Sequence, residues 1–321
     1  MKCIICGSGT DRFYNDLFDD RYGAPGFFSI NRCRNCGIGR TEPLLKKEEI
    51  GKFYKKFYPL SFVKPEQVKD MARILPKFTA WLNGVDNTSH WHVKPKTDVL
   101  DIGSGSGVSL LEIEKMGAKA YGVEPDPNAQ KIAKKLNLDV FKGFISDNPF
   151  PNHKFDFVTC SQVIEHEPDP LHFLNSVKKK LKKGGRVILS FPNFDSLYRI
   201  IFGRKWINWH IPYHLNFFTK KSFILLAEKS GLKVTRMETR TPNLWSVIQI
   251  RTFFESIKMG QKSSVWNRSP VVGKTNGKSD ILARLIGGLL QLMTIPITLV
   301  NRIVDFLGMG DSFLVFLENE K

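Results

Sequence analysis

The chain has 321 residues, of which 42% are apolar and 25% are charged, so its composition is that of a globular protein rather than a disordered one. A formal net charge of +17 favours anionic partners such as nucleic acid, anionic lipid or acidic substrates, without selecting one of them. No apolar segment with a cleavage site follows Met1, so we expect no secretory signal and a cytoplasmic protein.

Four of the five cysteines form two Cys-x-x-Cys pairs, which are Cys3 with Cys6 and Cys33 with Cys36. A glycine follows each pair directly, at Gly7 and at Gly37, as in knuckle turns whose amides point at sulfur. Four thiolates complete a tetrahedral structural zinc site and leave no open position for catalysis. We therefore predict a zinc-binding module over residues 1–45, with an iron–sulfur centre or redox pairs as the alternatives.

Residues 46–96 are basic and aromatic, and they predict a helical linker or cap. From residue 97 to residue 241, short apolar runs alternate with helical stretches, which is typical of an α/β core with a parallel sheet. Strands are expected at 98–102, 120–123, 139–141, 155–160, 186–191 and 233–238. Lys183-Gly184-Gly185 is expected to stop the helix that begins at Pro170.

A helical insertion of residues 242–310 precedes the closing strand, which is predicted within 311–321 and is antiparallel. Its apolar helix, 281–307, carries one narrow stripe of polar or small residues at helical spacing. One interpretation places this helix in a membrane interface, attracted to anionic lipid by the basic loop before it. The other is a buried helix or a homodimer interface. A true span is disfavoured, because the charge-free stretch is marginal in length and contains Pro296.

A glycine-rich turn, Asp101-Ile102-Gly103-Ser104-Gly105-Ser106-Gly107, stands between a predicted strand and a predicted helix. Glycines let a ligand lie against bare backbone in such a turn. Val108 stands where a dinucleotide fingerprint would have its third glycine, and Asp101 suits a cationic amino group better than a pyrophosphate. Glu124 ends the next strand and can accept both ribose hydroxyls. Together these residues indicate an adenosyl ligand without phosphates.

The runs DVLDIGSGSG, GVEPDP, FDFVTCSQVIEHEPDP and LKKGGRVILSFPN resemble the ordered motifs of class I S-adenosylmethionine-dependent methyltransferases over residues 97–240. The resemblance is closest to the branch with the ubiquinone-biosynthesis O-methyltransferases and the methyltransferases of bacterial glycan clusters. It extends to the Cys-x-x-Cys-Gly run at 33–37. It implies a Rossmann-like fold and S-adenosylmethionine as cofactor.

The resemblance also assigns the cofactor-binding residues. It implies that the methionine part is held by Asp101, Gly103, Ser104, Gly105 and Gly107, and the ribose by Glu124 beside Pro125. It further implies that the adenine is flanked by Gly143, Phe144 and Ile145, and that the methionine side is lined by Ser161, Gln162 and Val163.

Methyl transfer requires an oriented acceptor and, for a hydroxyl, removal of its proton. His166 follows the fourth strand, where the resemblance places it near the methyl group. His214 lies in an aromatic loop, where relatives carry a histidine before a helix that starts at a Thr or Ser. Both are candidate bases, with a structural or loop-bracing role as the alternative for each. His210 is a weaker candidate, and Cys160 is expected to pack in the core.

The end of the fourth strand lacks an Asn/Asp-Pro-Pro-Tyr/Phe motif, which disfavours methylation of base or glutamine amino groups. We therefore expect O-methylation of a saccharide or lipid-linked acceptor near the cytoplasmic membrane surface, with sugar C-methylation as second choice. An RNA-modifying or RNA-binding protein, held to nucleic acid by the zinc module and the basic surface, is the alternative hypothesis. A non-catalytic partner subunit with the same fold is a third.

Overall fold

The computed structural model describes residues 2–45, 47–57, 64–267 and 295–319. The strands, in chain order, are β1 (Thr10–Leu17), β2 (Phe28–Cys33), β3 (Gly39–Glu42), β4 (Asp98–Ile102), β5 (Lys119–Glu124), β6 (Val140–Lys142), β7 (Phe155–Ser161), β8 (Leu181–Pro192), β9 (Asn216–Phe217), β10 (Leu232–Arg240) and β11 (Ser312–Asn319). The helices are α1 (Lys47–Phe57), α2 (Pro65–Met71), α3 (Lys77–Asn83), α4 (Val108–Lys115), α5 (Pro127–Leu136), α6 (Pro170–Lys178), α7 (Leu197–Phe202), α8 (Lys220–Ser230), α9 (Asn243–Phe253), α10 (Ser264–Asn267) and α11 (described over 295–306).

The larger sheet has seven strands in the order β10-β11-β8-β7-β4-β5-β6. The pairs β8–β7, β7–β4, β4–β5 and β5–β6 are parallel, whereas β11 is antiparallel to both of its neighbours. This confirms the predicted Rossmann-like α/β fold with an antiparallel last strand. The carboxyl ends of the parallel strands share one edge, which is where ligands bind in open α/β sheets.

Local sequence signals start the core helices where the structure has them. The Asp126 carboxylate accepts bonds from the amides of Asn128 and Ala129, and a proline follows it at the first helical position of α5. The Asp169 carboxylate likewise accepts the amides of Leu171 and His172 at the start of α6, and the Thr219 hydroxyl caps α8. Because side-chain oxygens satisfy the free amides of a first turn, these caps fix the direction in which each helix leaves its strand.

The predicted helix stop at Lys183-Gly184-Gly185 is wrong. Helix α6 already ends at Lys178, and the glycines lie inside β8, where the pairing with β7 shifts register between Phe155 and Phe157. Gly184 has a φ of +75°, and a Cβ at Gly185 would lie 2.9 Å from the carbonyl oxygen of Phe155. The two glycines therefore allow a β-bulge in β8 and a close approach of its backbone to that of β7.

The cysteine-rich segment forms a second sheet, whose order is β1-β2-β3-β9. Its fourth strand comes from the loop after β8, and Gly39 and Arg40 pair with Phe217 and Asn216. A Cβ at Gly39 would come within 3.0 Å of the Phe194 ring, so the two parts of the chain are in close contact there. A shared apolar cluster, with Phe28, Ile30, Phe194, Trp209 and Phe217 among its members, fills the space behind this sheet.

The C-terminal insertion is described in part. Helix α9 begins the predicted insertion and ends at Phe253. The predicted helix 281–307 falls outside the described residues over 281–294, and residues 295–306 are helical as expected. None of the helices within the described ranges is long and apolar enough to span a bilayer.

Asp311 joins the insertion, the sheet and the aromatic loop. Its buried carboxylate accepts bonds from the Ser196 hydroxyl (2.8 Å), the Trp206 indole (2.7 Å) and the Asn208 amide (2.8 Å). Burial raises the pKa of Asp311 to about 6. One side chain thus fixes the start of α7 and the loop that carries the candidate histidines.

We expect Asp311→Ala to lower the free energy of unfolding by about 3–5 kcal/mol, because three buried donors lose their acceptor at once. Urea-induced unfolding followed by circular dichroism measures the change. Asp139→Ala, which removes an exposed carboxylate, is the matched control and should change the free energy by less than about 0.5 kcal/mol. Equal effects of the two variants would contradict the assigned role of Asp311.

Candidate active site

The glycine turn between β4 and α4 has the backbone that its sequence predicts. Gly103, Gly105 and Gly107 have φ values of +74°, +53° and +89°, in the left-handed region. A Cβ at Gly103 would lie 2.4 Å from Val163 Cγ2, and a Cβ at Gly107 would lie 2.6 Å from Leu138 Cδ1. A Cβ at Gly105 would meet no heavy atom within 4 Å. The turn is therefore packed at its two ends and open in its middle, where a ligand can approach the backbone.

Asp101 lies beneath this turn. Its buried carboxylate accepts bonds from the hydroxyls of Ser109 and Thr159, each at 2.6 Å. Burial raises the pKa of Asp101, and these two hydroxyl bonds oppose that rise. Through these bonds Asp101 supports the base of the turn. Its contact with the methionine part of the cofactor stays a prediction.

Glu124 reaches from the end of β5 to the open part of the turn. One carboxylate oxygen accepts the amide of Gly105 (2.9 Å), and the other accepts the amide of Asp126 (3.0 Å). Burial raises its pKa, while these two amides act in the opposite direction. Glu124 is therefore beside the glycine turn, as the predicted ribose acceptor must be.

The predicted adenine-side residues differ in exposure. Phe144 is exposed and Gly143 has a φ of +151°, whereas Ile145 is buried in the main core. Pro125 is exposed beside Glu124. Phe144 can therefore cover an adenine face, and Ile145 supports the segment from below.

The predicted methionine-side residues lie at the end of β7. Ser161 Oγ is 2.8 Å from Ser89 Oγ and accepts the Ser89 amide at 3.0 Å. Gln162 has a φ of +57°, so the chain turns sharply there and brings Val163 against Gly103. Ser104, next to that contact, is buried, and its Oγ has no hydrogen-bond partner among the described residues. Ser104 Oγ lies against β5, where a Cβ at Gly122 would be 2.7 Å from it.

The two candidate bases lie together with an acidic residue that was not predicted to be part of the site. The ring centroids of His166 and His214 are 4.7 Å apart, and His214 Nε2 lies 3.9 Å from Glu165 Oε1. His210 Nδ1 is 3.3 Å from His214 Nε2. His166 is half-buried, while the other three side chains are buried. His166 is thus the member of this cluster nearest to solvent.

Backbone carbonyls orient both candidate bases. His166 Nδ1 donates to the carbonyl of Tyr213 (2.9 Å), and His214 Nδ1 donates to the carbonyl of Asn208 (2.8 Å). A neutral imidazole that donates from Nδ1 carries its lone pair on Nε2. Both rings therefore have Nε2 as the basic atom.

Burial sets the charge state of the cluster. It lowers the pKa of His166 to about 4 and the pKa of His214 well below its usual value, so both rings are neutral at pH 7. Burial raises the pKa of Glu165 to about 8. Neither Glu165 oxygen has a hydrogen-bond partner among the residues that the structure describes.

Glu165, His166 and His214 also form a group that could hold a metal ion. One ligand atom from each residue can be chosen so that all three lie within 4.8 Å of one another. Metal-ligating histidines usually donate their second nitrogen to a carbonyl or carboxylate, as both rings do here. The cluster is thus suited to proton transfer or to a divalent cation.

The cysteine-rich sheet holds the histidine loop in place. Thr41 of β3 donates its hydroxyl to the carbonyl of His214 (2.6 Å) and its amide to the carbonyl of Leu215 (3.1 Å). The Leu215 amide donates in turn to the carbonyl of Glu165 (2.8 Å). A continuous set of hydrogen bonds therefore runs from β3 through the loop to the turn after β7.

The four predicted metal cysteines come together. Cys3 Sγ and Cys36 Sγ are 3.5 Å apart, and Cys6 Sγ and Cys33 Sγ are 3.4 Å apart. The amides of Ile5 and Asn35 point at Cys3 Sγ and Cys33 Sγ, each at 3.4 Å. The four sulfurs all lie within 4.8 Å of one another and form a group that could hold a metal ion.

The fifth cysteine, Cys160, is buried in β7 as predicted, and burial raises the pKa of its thiol well above the usual value. It is therefore unsuited to act as a nucleophile.

The sequence interpretation missed Glu165, Thr41 and Ser89. An acidic residue between an apolar pair and a candidate histidine was the available signal for Glu165. Thr41 and Ser89 gave no signal, because both act through contacts more than 70 residues away in sequence.

Part of the chain is similar in sequence to known methyltransferases. A ubiquinone biosynthesis O-methyltransferase of Schizosaccharomyces pombe, named as mitochondrial, is 35% identical over 112 residues, which are 32% of this chain and 40% of that protein. A ubiquinone biosynthesis O-methyltransferase of Pseudoalteromonas translucida is 30% identical over 154 residues, which are 43% of this chain and 64% of that protein. The alignments thus span less than two thirds of either relative.

A SAM-dependent methyltransferase from Archaeoglobus fulgidus is a similar solved structure, with a TM-score of 0.43, 18% identity, and coverage of 84% of this chain and 98% of that chain. A structural similarity of this size supports no conclusion about activity. A family described as a methyltransferase domain matches residues 66–237, which is more than half of the chain. The protein therefore belongs to the methyltransferase domain family.

Proposed function

We propose that this protein is an S-adenosylmethionine-dependent O-methyltransferase. The observation that carries the proposal is the contact between Glu124 and Gly105, which places a carboxylate beside open, bare backbone. That arrangement suits ribose hydroxyls. The names of the relatives, both O-methyltransferases, support the same class of reaction.

The residues present fit the cofactor. Glu124 would accept the ribose hydroxyls, Phe144 would cover the adenine, and the open backbone at Gly105 would face the methionine part. When bound, S-adenosylmethionine supplies a methyl group on a sulfonium, which transfers as an acceptor oxygen attacks.

His166 is the proposed proton acceptor. It is half-buried, neutral at pH 7, and carries its basic lone pair on Nε2. Its neighbour in sequence, Glu165, would stabilise the imidazolium that forms, and His214 lies close enough to share the proton. The Val163–Gly103 contact places this cluster next to the glycine turn.

The proposed acceptor is a hydroxyl of a saccharide or of a lipid-linked small molecule. A neutral histidine as base supports an oxygen acceptor, since a hydroxyl needs its proton removed as it is methylated. Sugar carbon methylation would use the same base on a C–H bond made acidic by a neighbouring carbonyl. We place the protein in the cytoplasm, at the inner face of the membrane.

We also propose one structural zinc ion, held by Cys3, Cys6, Cys33 and Cys36. The fit rests on the four converging sulfurs and on the two amides that point at them. Zinc there would stabilise the knuckles beside α8, where Thr219 Oγ1 donates to the carbonyl of Cys36 (2.9 Å).

Cofactor binding is tested by calorimetric titration with S-adenosylmethionine. We expect a one-to-one complex and at least about tenfold weaker binding by Glu124→Ala, because hydrogen bonds to a charged acceptor are lost. Glu114→Ala, which removes an exposed carboxylate on α4, is the control and should bind like the wild type. No heat with the wild-type protein, or equal affinity in Glu124→Ala, would contradict the proposal.

The base is tested with His166→Ala and His214→Ala. Formation of S-adenosylhomocysteine is measured against a panel of saccharides and phenols, and the best acceptor is then used for every variant. We expect His166→Ala to lower kcat by about 10²–10⁴-fold with cofactor affinity unchanged. His172→Ala, on the exposed side of α6, is the control. Wild-type turnover in His166→Ala would remove that residue from the mechanism.

Metal analysis of the purified full chain should find one equivalent of zinc. We expect Cys33→Ser to lose it, to unfold at lower temperature and to lose turnover, because β3 supports the His214 loop. Zinc retained in Cys33→Ser would count against the four-cysteine site. A second equivalent of metal that disappears in His214→Ala would show that the histidine cluster holds a cation.

A further inference from the structure

Helix α11 has its polar side turned toward the protein. The buried Asn301 amide accepts the Tyr198 hydroxyl (2.5 Å), and it donates to Asn243 and to Ser246, each at 2.9 Å. One turn later, the Asp305 carboxylate accepts the hydroxyl of Thr241 (2.8 Å). Over the described residues of α11, the polar stripe therefore faces the interior of the protein.

The opposite side of the same helix is apolar and exposed. Ile295, Leu299 and Ile303 are 67%, 62% and 51% exposed, and Phe306 is 90% exposed. These positions recur every three or four residues and lie on one side of the helix. A surface helix of a water-soluble protein usually has the opposite arrangement, with its apolar side toward the core and its polar side toward solvent.

Helix α9 extends the exposed surface. It runs beside α11 in the same direction, since Asn243 donates to Thr298 (2.6 Å) and Ser246 bonds to Asn301. Its last residue, Phe253, and the following Phe254 are 40% and 79% exposed, at the end of the pair where Phe306 lies. We call Phe253, Phe254, Ile295, Leu299, Ile303 and Phe306 the apolar face.

Cations border this face. Lys205 donates to the carbonyls of Phe253 (2.7 Å) and Glu255 (3.0 Å) and lies 5.4 Å from the Phe253 ring centroid. Arg251 on α9 and Lys258 and Lys262 after it are exposed. The nearby Glu255 carboxylate is engaged by the Ser263 and Ser264 hydroxyls. The border therefore carries positive charge next to aromatic rings.

We propose that the apolar face inserts into the surface of a lipid bilayer with anionic headgroups. An exposed apolar side with basic residues at its edge is the arrangement that binds a membrane interface. The positive border matches anionic headgroups, each cation near such a surface adding to the attraction. The surface lies on α9 and α11, apart from the residues proposed to bind the cofactor, so the inference goes beyond the proposed function.

A second copy of the chain fits this surface less well. A two-fold symmetric contact through the apolar face would hold two strongly basic chains together. The formal net charge of +17 on each copy opposes such a contact. Anionic lipid has no such penalty.

Sedimentation of the full chain with vesicles tests the proposal. The vesicles contain either phosphatidylcholine alone or a mixture with phosphatidylglycerol. We expect binding to the anionic vesicles that weakens as salt is raised, and at least about tenfold weaker binding by the double variant Phe254→Asp/Phe306→Asp. A charge-reversed variant, Lys258→Glu/Lys262→Glu, should lose the preference for anionic vesicles.

Phe27→Asp is the matched control, because it removes an exposed aromatic ring of the cysteine-rich segment. It should bind vesicles like the wild type, and S-adenosylmethionine titration of every variant reports whether it is folded. Absence of vesicle binding by the wild type, or equal binding by the Phe254/Phe306 variant, would overturn the proposal. A dimer in analytical ultracentrifugation that the same variant dissociates would overturn it in favour of a second copy.

Discussion

The hydrogen bonds of Leu215 join the three parts of the candidate active site. Its amide donates to the carbonyl of Glu165, and its carbonyl accepts the amide of Thr41. The turn after β7, the histidine loop and the cysteine-rich sheet therefore have fixed positions relative to one another. His166 and His214 are more than 40 residues apart in sequence, and this link allows their rings to meet. The cysteine-rich segment therefore supports the loop that carries the proposed bases.

The site combines an open half and a closed half. The glycine turn exposes backbone at Gly105 beside the Glu124 carboxylate, in a form suited to an adenosyl group. The histidine cluster is mostly buried, which keeps both rings neutral and leaves Glu165 with a raised pKa. Glu165 can pair with a protonated His166 only as a carboxylate, and the positive ring would itself lower the pKa of Glu165. The fold thus puts the proposed cofactor site and the proposed base at the ends of adjacent strands.

Local patterns predicted most of the fold and much of the site. The alternation of apolar runs and capped helices was sufficient for the Rossmann-like sheet, and Glu124 beside Gly105 follows from the parallel neighbours β4 and β5. The glycines of β8 were misjudged, because a bulge depends on the partner strand and not on its own residues. Thr41 could not be predicted, since β3–β9 pairing joins distant segments. The polar stripe of α11 was visible in the sequence, but only packing shows that it faces inward.

The proposed methyl-donor site and the histidine cluster lie at one edge of the sheet, where Val163 packs against Gly103. A crystal structure with bound S-adenosylhomocysteine tests this most directly. We predict ribose hydroxyls on Glu124, the adenine at Phe144, and the sulfur directed toward His166 Nε2. A nucleoside bound away from Glu124, or a sulfur facing away from His166 with the histidine cluster closed off, would contradict the account.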